Sequence, residues 1–171
     1  MAAAFHIRPA TKADVQTLLD LILALAVYEK AAESAQATAE LLTRNLFEDS
    51  FAHALLAFTG PASEPGAPVG MALYFFNFST WTGRPGLYLE DLFVKPEHRN
   101  LGVGKALFAQ LAKIAQEKNC ARMDWQVLTW NEPSIRFYED VLKAKPMGEW
   151  QGMRLEEEGI ENLKKIASKP N

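Results

Sequence analysis

The run Arg99-Asn100-Leu101-Gly102-Val103-Gly104-Lys105 sets two glycines and two basic residues between an apolar strand pattern and a helical one. A turn of this composition presents bare backbone N–H groups to an anion. Its glycines let the backbone approach a ligand closely, and the positive end of the following helix dipole favours negative charge by roughly 0.3–2 kcal/mol. A pyrophosphate suits that chemistry; a glycine turn that merely starts a helix suits the same residues. Just upstream, Glu90 and Asp91 interrupt Leu87-Tyr88-Leu89-Glu90-Asp91-Leu92-Phe93-Val94. Neighbours on a strand point to opposite faces, so at least one carboxylate is expected on a covered side. A buried charge is costly unless paired or used. The pair therefore reads either as a strand-end ion pair or as carboxylates that attract or deprotonate a cationic substrate.

Known phosphate motifs narrow the choice. A P-loop fails because Ala106 follows Lys105 and the glycine spacing is wrong. A dinucleotide fingerprint fails because Leu107 stands where a third glycine is required. Cys120 is the only cysteine, which excludes an intrachain disulfide, and no Cys/His cluster suggests a zinc site. No histidine near Cys120 in sequence would activate it as a nucleophile. His53 and His98 read as surface or loop residues.

These residues need a scaffold to hold them. Phe5 to Arg8 reads as a strand, and Thr11 with Asp14 resembles a capping box that starts a helix. Val15, Leu18, Leu19, Ile22 and Leu25 form its core stripe. Leu21 and Leu23 widen the stripe until the helix is apolar nearly all round, which calls for cover on two sides, the second supplied by a partner subunit. Thr38 caps a shorter helix through Phe47. Strands follow at Ala54 to Thr59, Val69 to Phe78 and Leu87 to Val94, separated by turn formers, which predicts an antiparallel meander. From Val103 the positions Leu107, Leu111, Ile114 and Ala115 recur at helical spacing. Met123 to Leu128 is a strand, and Asn131 caps a helix with Pro133 in its first turn. A final strand pair near Ala144 to Met147 and Met153 to Glu157 is expected to close the sheet.

The chain has 171 residues, of which 49% are hydrophobic, and a formal charge of −3. That suits a single domain spanning 1–171. The acidic balance and scattered basic residues argue against a nucleic-acid surface. Leu18 to Val27 is too short to span a bilayer and is interrupted by Asp20. His6 and Arg8 precede any apolar run of signal-peptide length. A cytoplasmic protein with no membrane partner is the expectation.

Arg-x-x-Gly-x-Gly after a strand and at a helix start, with Leu89-Glu90-Asp91-Leu92-Phe93-Val94 and Trp130-Asn131-Glu132-Pro133-Ser134-Ile135-Arg136-Phe137-Tyr138, resembles the GNAT superfamily of N-acetyltransferases. Ile7-Arg8-Pro9-Ala10-Thr11, Tyr28-Glu29-Lys30, Tyr88-Leu89-Glu90-Asp91 and Asn131-Glu132-Pro133-Ser134 narrow it. They are similar to the diamine (spermidine/spermine) and thialysine acetyltransferases over almost the whole chain. The resemblance implies an α/β (α+β) GNAT fold, with a mixed, mostly antiparallel central sheet of six to seven strands flanked by helices.

It also implies acetyl-CoA as cosubstrate, no metal, a small-molecule amine as acceptor and a homodimer. The backbone of Leu92, Phe93 and Val94 would pair with the pantetheine arm. Arg99, Asn100, Leu101, Gly102, Val103, Gly104 and Lys105 would hold the pyrophosphate, and Asn131, Glu132, Pro133 and Ser134 would line the coenzyme site. Tyr138 would lie near the thioester sulfur as the acid for the departing thiolate. Tyr28, Glu29 and Glu90 match positions around the amine, with Asp124, Trp125 and Gln126 on a further substrate-lining strand. One departure concerns Gln151-Gly152-Met153-Arg154, where polyamine-specific members resemble Glu-Gly-Trp-Arg. An amide there weakens attraction for a distant second ammonium.

The reaction has a definable cost. An alkylamine of pKa near 10.4 is neutral in about one molecule in 2,500 at pH 7, so deprotonation costs roughly 4.6 kcal/mol before attack. In the expected mechanism Glu90 holds the cation and passes its proton outward through water. The neutral amine attacks the thioester directly, a backbone N–H of the central strand stabilises the oxyanion, and Tyr138 protonates sulfur. Acetylation of protein lysines or N-termini, and a catalytically idle acyl-CoA sensor, are the rival readings.

Overall fold

The computed structural model describes residues 5–166. The chain divides into two compact units, Met1–Gln126 and Val127–Asn171.

The first unit is a five-stranded sheet in the order β1-β2-β3-β4-β5. Its strands are β1 (Phe5–Pro9), β2 (His53–Thr59), β3 (Pro68–Ser79), β4 (Arg84–Val94) and β5 (Arg122–Trp125). Strands β2, β3 and β4 form the antiparallel meander that the turn formers predict, β1 pairs antiparallel to β2, and β5 pairs parallel to β4. Helix α1 (Val15–Tyr28) follows β1, and its start is fixed by Asp14. The Asp14 carboxylate accepts hydrogen bonds from the Thr11 N–H and hydroxyl and from a two-pronged Arg8 guanidinium. Arg8 holds the Asp14 carboxyl well below the usual carboxylate range despite its burial. In α2 (Ala39–Leu42) the Thr38 hydroxyl accepts from the Leu41 N–H, and a wide π-type turn continues the helix to Glu48.

The sheet faces are separated by alternation. Ala54, Leu56 and Phe58 of β2, Met71 and Leu73 of β3, and Phe93 of β4 form one cluster with Leu18, Leu21 and Leu25 of α1. The opposite face carries Leu55, Ala57, Ala72 and Leu89. Helix α3 (Val103–Glu117) covers that side, burying Leu107, Phe108 and Leu111, with the Phe108 ring 5.3 Å from that of Trp125 on β5. Leu21 is inside the core, whereas Leu23 and Val27 of α1 are 41% and 66% exposed. The apolar surround read from the sequence is thus real, and its second side is uncovered in the single chain.

In the second unit α4 (Glu132–Arg136) is followed by a π-type turn, Phe137–Val141, and later by α5 (Glu157–Ile166). Asn131 occupies the helix-start position with proline in the first turn, as expected. The strand pair expected near Ala144 to Met147 and Met153 to Glu157 is absent among the described residues, so the sheet has five strands and not six to seven. The physical reason is local. Residues 145–158 are exposed, leaving no burial to offset the entropy of an extended backbone, and Pro146 lacks a ladder donor. Glu157 and Glu158 instead open α5, where acidic residues complement the helix dipole, and Lys164 and Lys165 close it. The β5 strand is also shorter than read, ending at Trp125.

Candidate active site

The register of β3 against β4 decides where the two carboxylates go. Leu73 pairs with Asp91 and Tyr74 with Leu89, so Glu90 is an extra residue in a β-bulge. Cross-strand partners share a face, which places Asp91 with Leu73 on the α1 side while Leu89 stays with Tyr74 on the other. Without the bulge Asp91 would follow Leu89 onto the α3 side. Glu90 itself is exposed.

Asp91 is half-buried, and its carboxyl is pushed up to about 6, first by burial and then by the negative charges of Glu90 and Glu29. No ion pair among the described residues includes it. Glu29 caps the C-terminal end of α1, where its N–H donates to the Leu25 carbonyl, and burial raises its own carboxyl. Three carboxylates therefore lie close together at the end of α1, and no ion pair among the described residues includes any of them. Such an arrangement attracts a cation and holds a carboxylate whose proton affinity lies closer to neutrality than that of an ordinary aspartate.

Beside this cluster β4 has an open edge. The β4–β5 pairing ends at Leu89 with Trp125, so Glu90 to Val94 have no strand partner on that side among the described residues. Phe93 and Val94 are buried at their side chains, and Leu92 is half-buried. The backbone of this stretch can take an extended ligand by strand-like hydrogen bonding.

The turn after β4 has the geometry an anion requires. Asn100 (φ 62°) and Gly102 (φ 90°) both lie in the left-handed region, and Gly102 is the residue before the first turn of α3. A Cβ added at Gly102 or Gly104 would meet nothing within 4 Å, so the space above both is open. Fifteen helical residues follow, and Lys105 is exposed in the first turn. Helix dipole, orphan N–H groups and clear approach coincide. Arg99 donates from Nε to the Val94 carbonyl at 3.0 Å. Leu101 is exposed and Val103 is buried in the core.

The remaining candidate residues of β5 behave differently. Asp124 is ion-paired with Arg122 at 2.8 Å and accepts from the Asn77 amide at 3.3 Å, so its charge is already compensated. Trp125 packs on Phe108, and Gln126 is exposed at the strand's end. Tyr28 is half-buried at the last position of α1, one residue before Glu29. Burial pushes the Cys120 thiol up, against a nucleophilic role. No group of three or more His, Cys, Asp or Glu side chains arranged for a metal occurs among the described residues.

In the second unit Asn131 is buried, and its carbonyl accepts from the Ile135 N–H. Glu132 pairs with Arg136, while Pro133 and Ser134 complete the first turn of α4. Tyr138 is half-buried in the π-type turn, its ring 5.7 Å from that of Phe137. The sequence pattern points to Glu90 as the site carboxylate, whereas the register turns Asp91 inward and leaves Glu90 exposed. The signal available was the Glu-Asp pair itself, and which member turns inward is decided by the bulge.

A bulged central strand with one free edge, a glycine turn opening a helix beside it and an uncompensated carboxylate cluster define an acyl-transferring α/β enzyme. The acetyltransferase (GNAT) family model matches residues 21–142, and the chain belongs to that family. The chain is 38% identical over 170 residues to the thialysine N-epsilon-acetyltransferase of Sus scrofa, covering 94% of this chain and 98% of that one. It is 35% identical over 137 residues to the human spermidine/spermine N(1)-acetyltransferase-like protein 1, covering 78% of this chain and 20% of the relative. Among solved structures an integron cassette protein of V. cholerae superposes with a TM-score of 0.74 at 26% identity, covering 99% of each chain. The protein is an acyltransferase. No helix among the described residues is long and apolar enough to cross a membrane.

Proposed function

We propose that the protein transfers the acetyl group of acetyl-CoA to the primary amine of a small diamine, polyamine or thialysine-like substrate. The observation that carries this reading is Asp91, a half-buried carboxylate whose charged neighbours are both negative, beside the open edge of β4. An incoming ammonium supplies the missing charge. Glu90, exposed on the bulge, and Glu29 hold the cation, while Asp91 takes the proton, directly or through water, and returns it to solvent.

A base near 6 is better matched to this task at neutral pH than one near 4. The neutral amine then attacks the thioester carbonyl. As the N–C bond forms and the C–S bond breaks, Tyr138 gives its proton to the leaving sulfur, and the second proton shed by the nitrogen passes through water to the Tyr138 phenolate. Backbone N–H groups of the bulge stabilise the oxyanion. The edge of Leu92 to Val94 binds the pantetheine arm, the Arg99–Lys105 turn binds the diphosphate, and Asn131 to Ser134 line the coenzyme site. Asp124 acts by bracing β5, its charge being engaged by Arg122.

Amino-acid-like amines are the preferred acceptors on this reading, because Gln151 offers no charge to a second distant ammonium and because of the likeness to the thialysine enzymes. The chain acts in the cytoplasm as a homodimer, in which the exposed Leu23 and Val27 of α1 are covered. A thiol-release assay with acetyl-CoA over amines of varied length, with and without an α-carboxylate, tests the reading. Fast turnover of thialysine, lysine or ornithine over spermine is expected. Coenzyme binding with no thiol release for any amine would replace the enzyme reading by that of a sensor.

A further inference from the structure

Arg99 opens the glycine turn, yet its guanidinium does not stand free above it. Its carbon Cζ lies 4.4 Å from the centroid of the Tyr28 ring and 5.9 Å from that of Phe93, while Nε is held by the Val94 carbonyl at 3.0 Å. The cation is half-buried, and no carboxylate pairs with it among the described residues. Aromatic faces and a carbonyl thus stabilise a charge that a partner acid would otherwise neutralise. The rest of the planar fork remains available to an anion. The two residues that make this stack belong to opposite sides of the site. Tyr28 ends α1 and precedes Glu29 of the carboxylate cluster; Arg99 begins the turn that leads into α3.

We infer that Tyr28 is a positioning residue for the acyl donor, its ring holding the Arg99 guanidinium at the glycine turn and so tying that turn to the amine side of the site. This rests on the reading of the turn as the coenzyme's diphosphate site. Three contacts fix the guanidinium, two from β4 and one from α1, and only the last can move with the amine-binding segment. A displaced α1 end withdraws the Tyr28 ring and frees the guanidinium to turn away from the diphosphate; a bound diphosphate draws Arg99 into place and, through the stack, holds Tyr28 and Glu29 beside Asp91. Donor and amine sites are then linked through one side chain, and by reciprocity each ligand favours binding of the other.

The test is calorimetric titration of coenzyme A, with no amine present, into wild type, Tyr28→Phe, Tyr28→Leu, Arg99→Ala and the Tyr28→Leu/Arg99→Ala double variant. Tyr28→Phe keeps the ring and is expected to bind within about twofold of wild type, whereas Tyr28→Leu is expected to bind about tenfold more weakly. In the Arg99→Ala background Tyr28→Leu is expected to cause no further loss. Equal affinity of Tyr28→Leu and wild type, or losses that multiply in the double variant, overturns the inference while leaving the acyltransferase reading intact. Failure of wild type to bind coenzyme A overturns that reading, and this inference with it. Should Tyr28→Leu not fold, Tyr28→Met is titrated in its place, alone and with Arg99→Ala: a tenfold loss that vanishes in the Arg99→Ala background supports the inference, and wild-type affinity sinks it.

Discussion

Helix α1 begins and ends beside an aspartate, and the two are treated in opposite ways. At its start Asp14 is buried and receives four hydrogen bonds, two of them from Arg8, so its negative charge is satisfied within the chain. At its end Asp91 is half-buried among Glu29 and Glu90, with its carboxyl pushed up to about 6. The first arrangement stabilises the fold; the second costs stability. An uncompensated carboxylate of this kind is suited to completion by a cation from outside, and the contrast supports the proposed site more strongly than either aspartate alone.

The comparison breaks most visibly in turnover. Asp91→Asn removes the proposed proton acceptor and is expected to lower kcat at pH 7.5 by about 10²-fold or more, as loss of a general base does. Asp14→Asn measured in the same thiol-release assay, below its melting transition, should stay within about threefold of wild type. Comparable losses in both would mean that Asp91 only supports the fold.

The uneven legibility of the molecule follows from how far each feature reaches along the chain. The meander, α1, α3 and the glycine turn are written in local periodicity and turn residues, and they stand where the sequence places them. Glu90 and Asp91 were legible as a pair. Their separation by the bulge was not, because it depends on the register with Leu73 and Tyr74 on another strand. The Arg8–Asp14 fork and the Arg99–Tyr28 stack likewise join side chains whose meeting no local pattern encodes. The C-terminal strands misread from Met153 to Glu157 show the converse. Strand-forming composition needs a partner edge, and without one the acidic run there enters a helix.

Stability supplies the next two tests, with opposite signs. Asp14→Asn is expected to cost about 2 kcal/mol at pH 7, at the modest end for charged hydrogen bonds because the Arg8 side chain is 37% exposed. Arg8 lowers the folded-state pKa of Asp14, so its contribution is complete above the unfolded value near 4 and declines as pH falls toward the folded one. The variant should lose that acid-side slope in urea melts. Asp91→Asn should do the reverse and stabilise. A raised acid binds its proton more readily in the folded state, so wild-type stability falls as pH rises from about 4 to about 6. Above that window the neutral amide is expected to gain about 1 kcal/mol, less than the full shift because solvent reaches part of the group. A destabilised Asp91→Asn at pH 7.5 would remove the contrast with Asp14.

The smallest effect sharpens the cluster itself. If Glu29 acts on Asp91 only through its charge, Glu29→Gln removes one repulsive neighbour and leaves burial and Glu90 in place. Burial is the largest cause and Glu29 the smallest, so the Asp91 carboxyl should fall slightly and remain above an ordinary aspartate. The acid limb of kcat/KM reports groups of the free enzyme, and activity that needs the ionised carboxylate rises with pH through that limb. The limb should therefore lie near pH 6 in wild type and move measurably to lower pH in Glu29→Gln, with the alkaline limb unmoved. Amine KM should rise modestly, because one of three negative charges facing the ammonium is gone. A limb that stays in place would separate Glu29 from Asp91 electrostatically, and a limb that vanishes would make Glu29 the group that titrates.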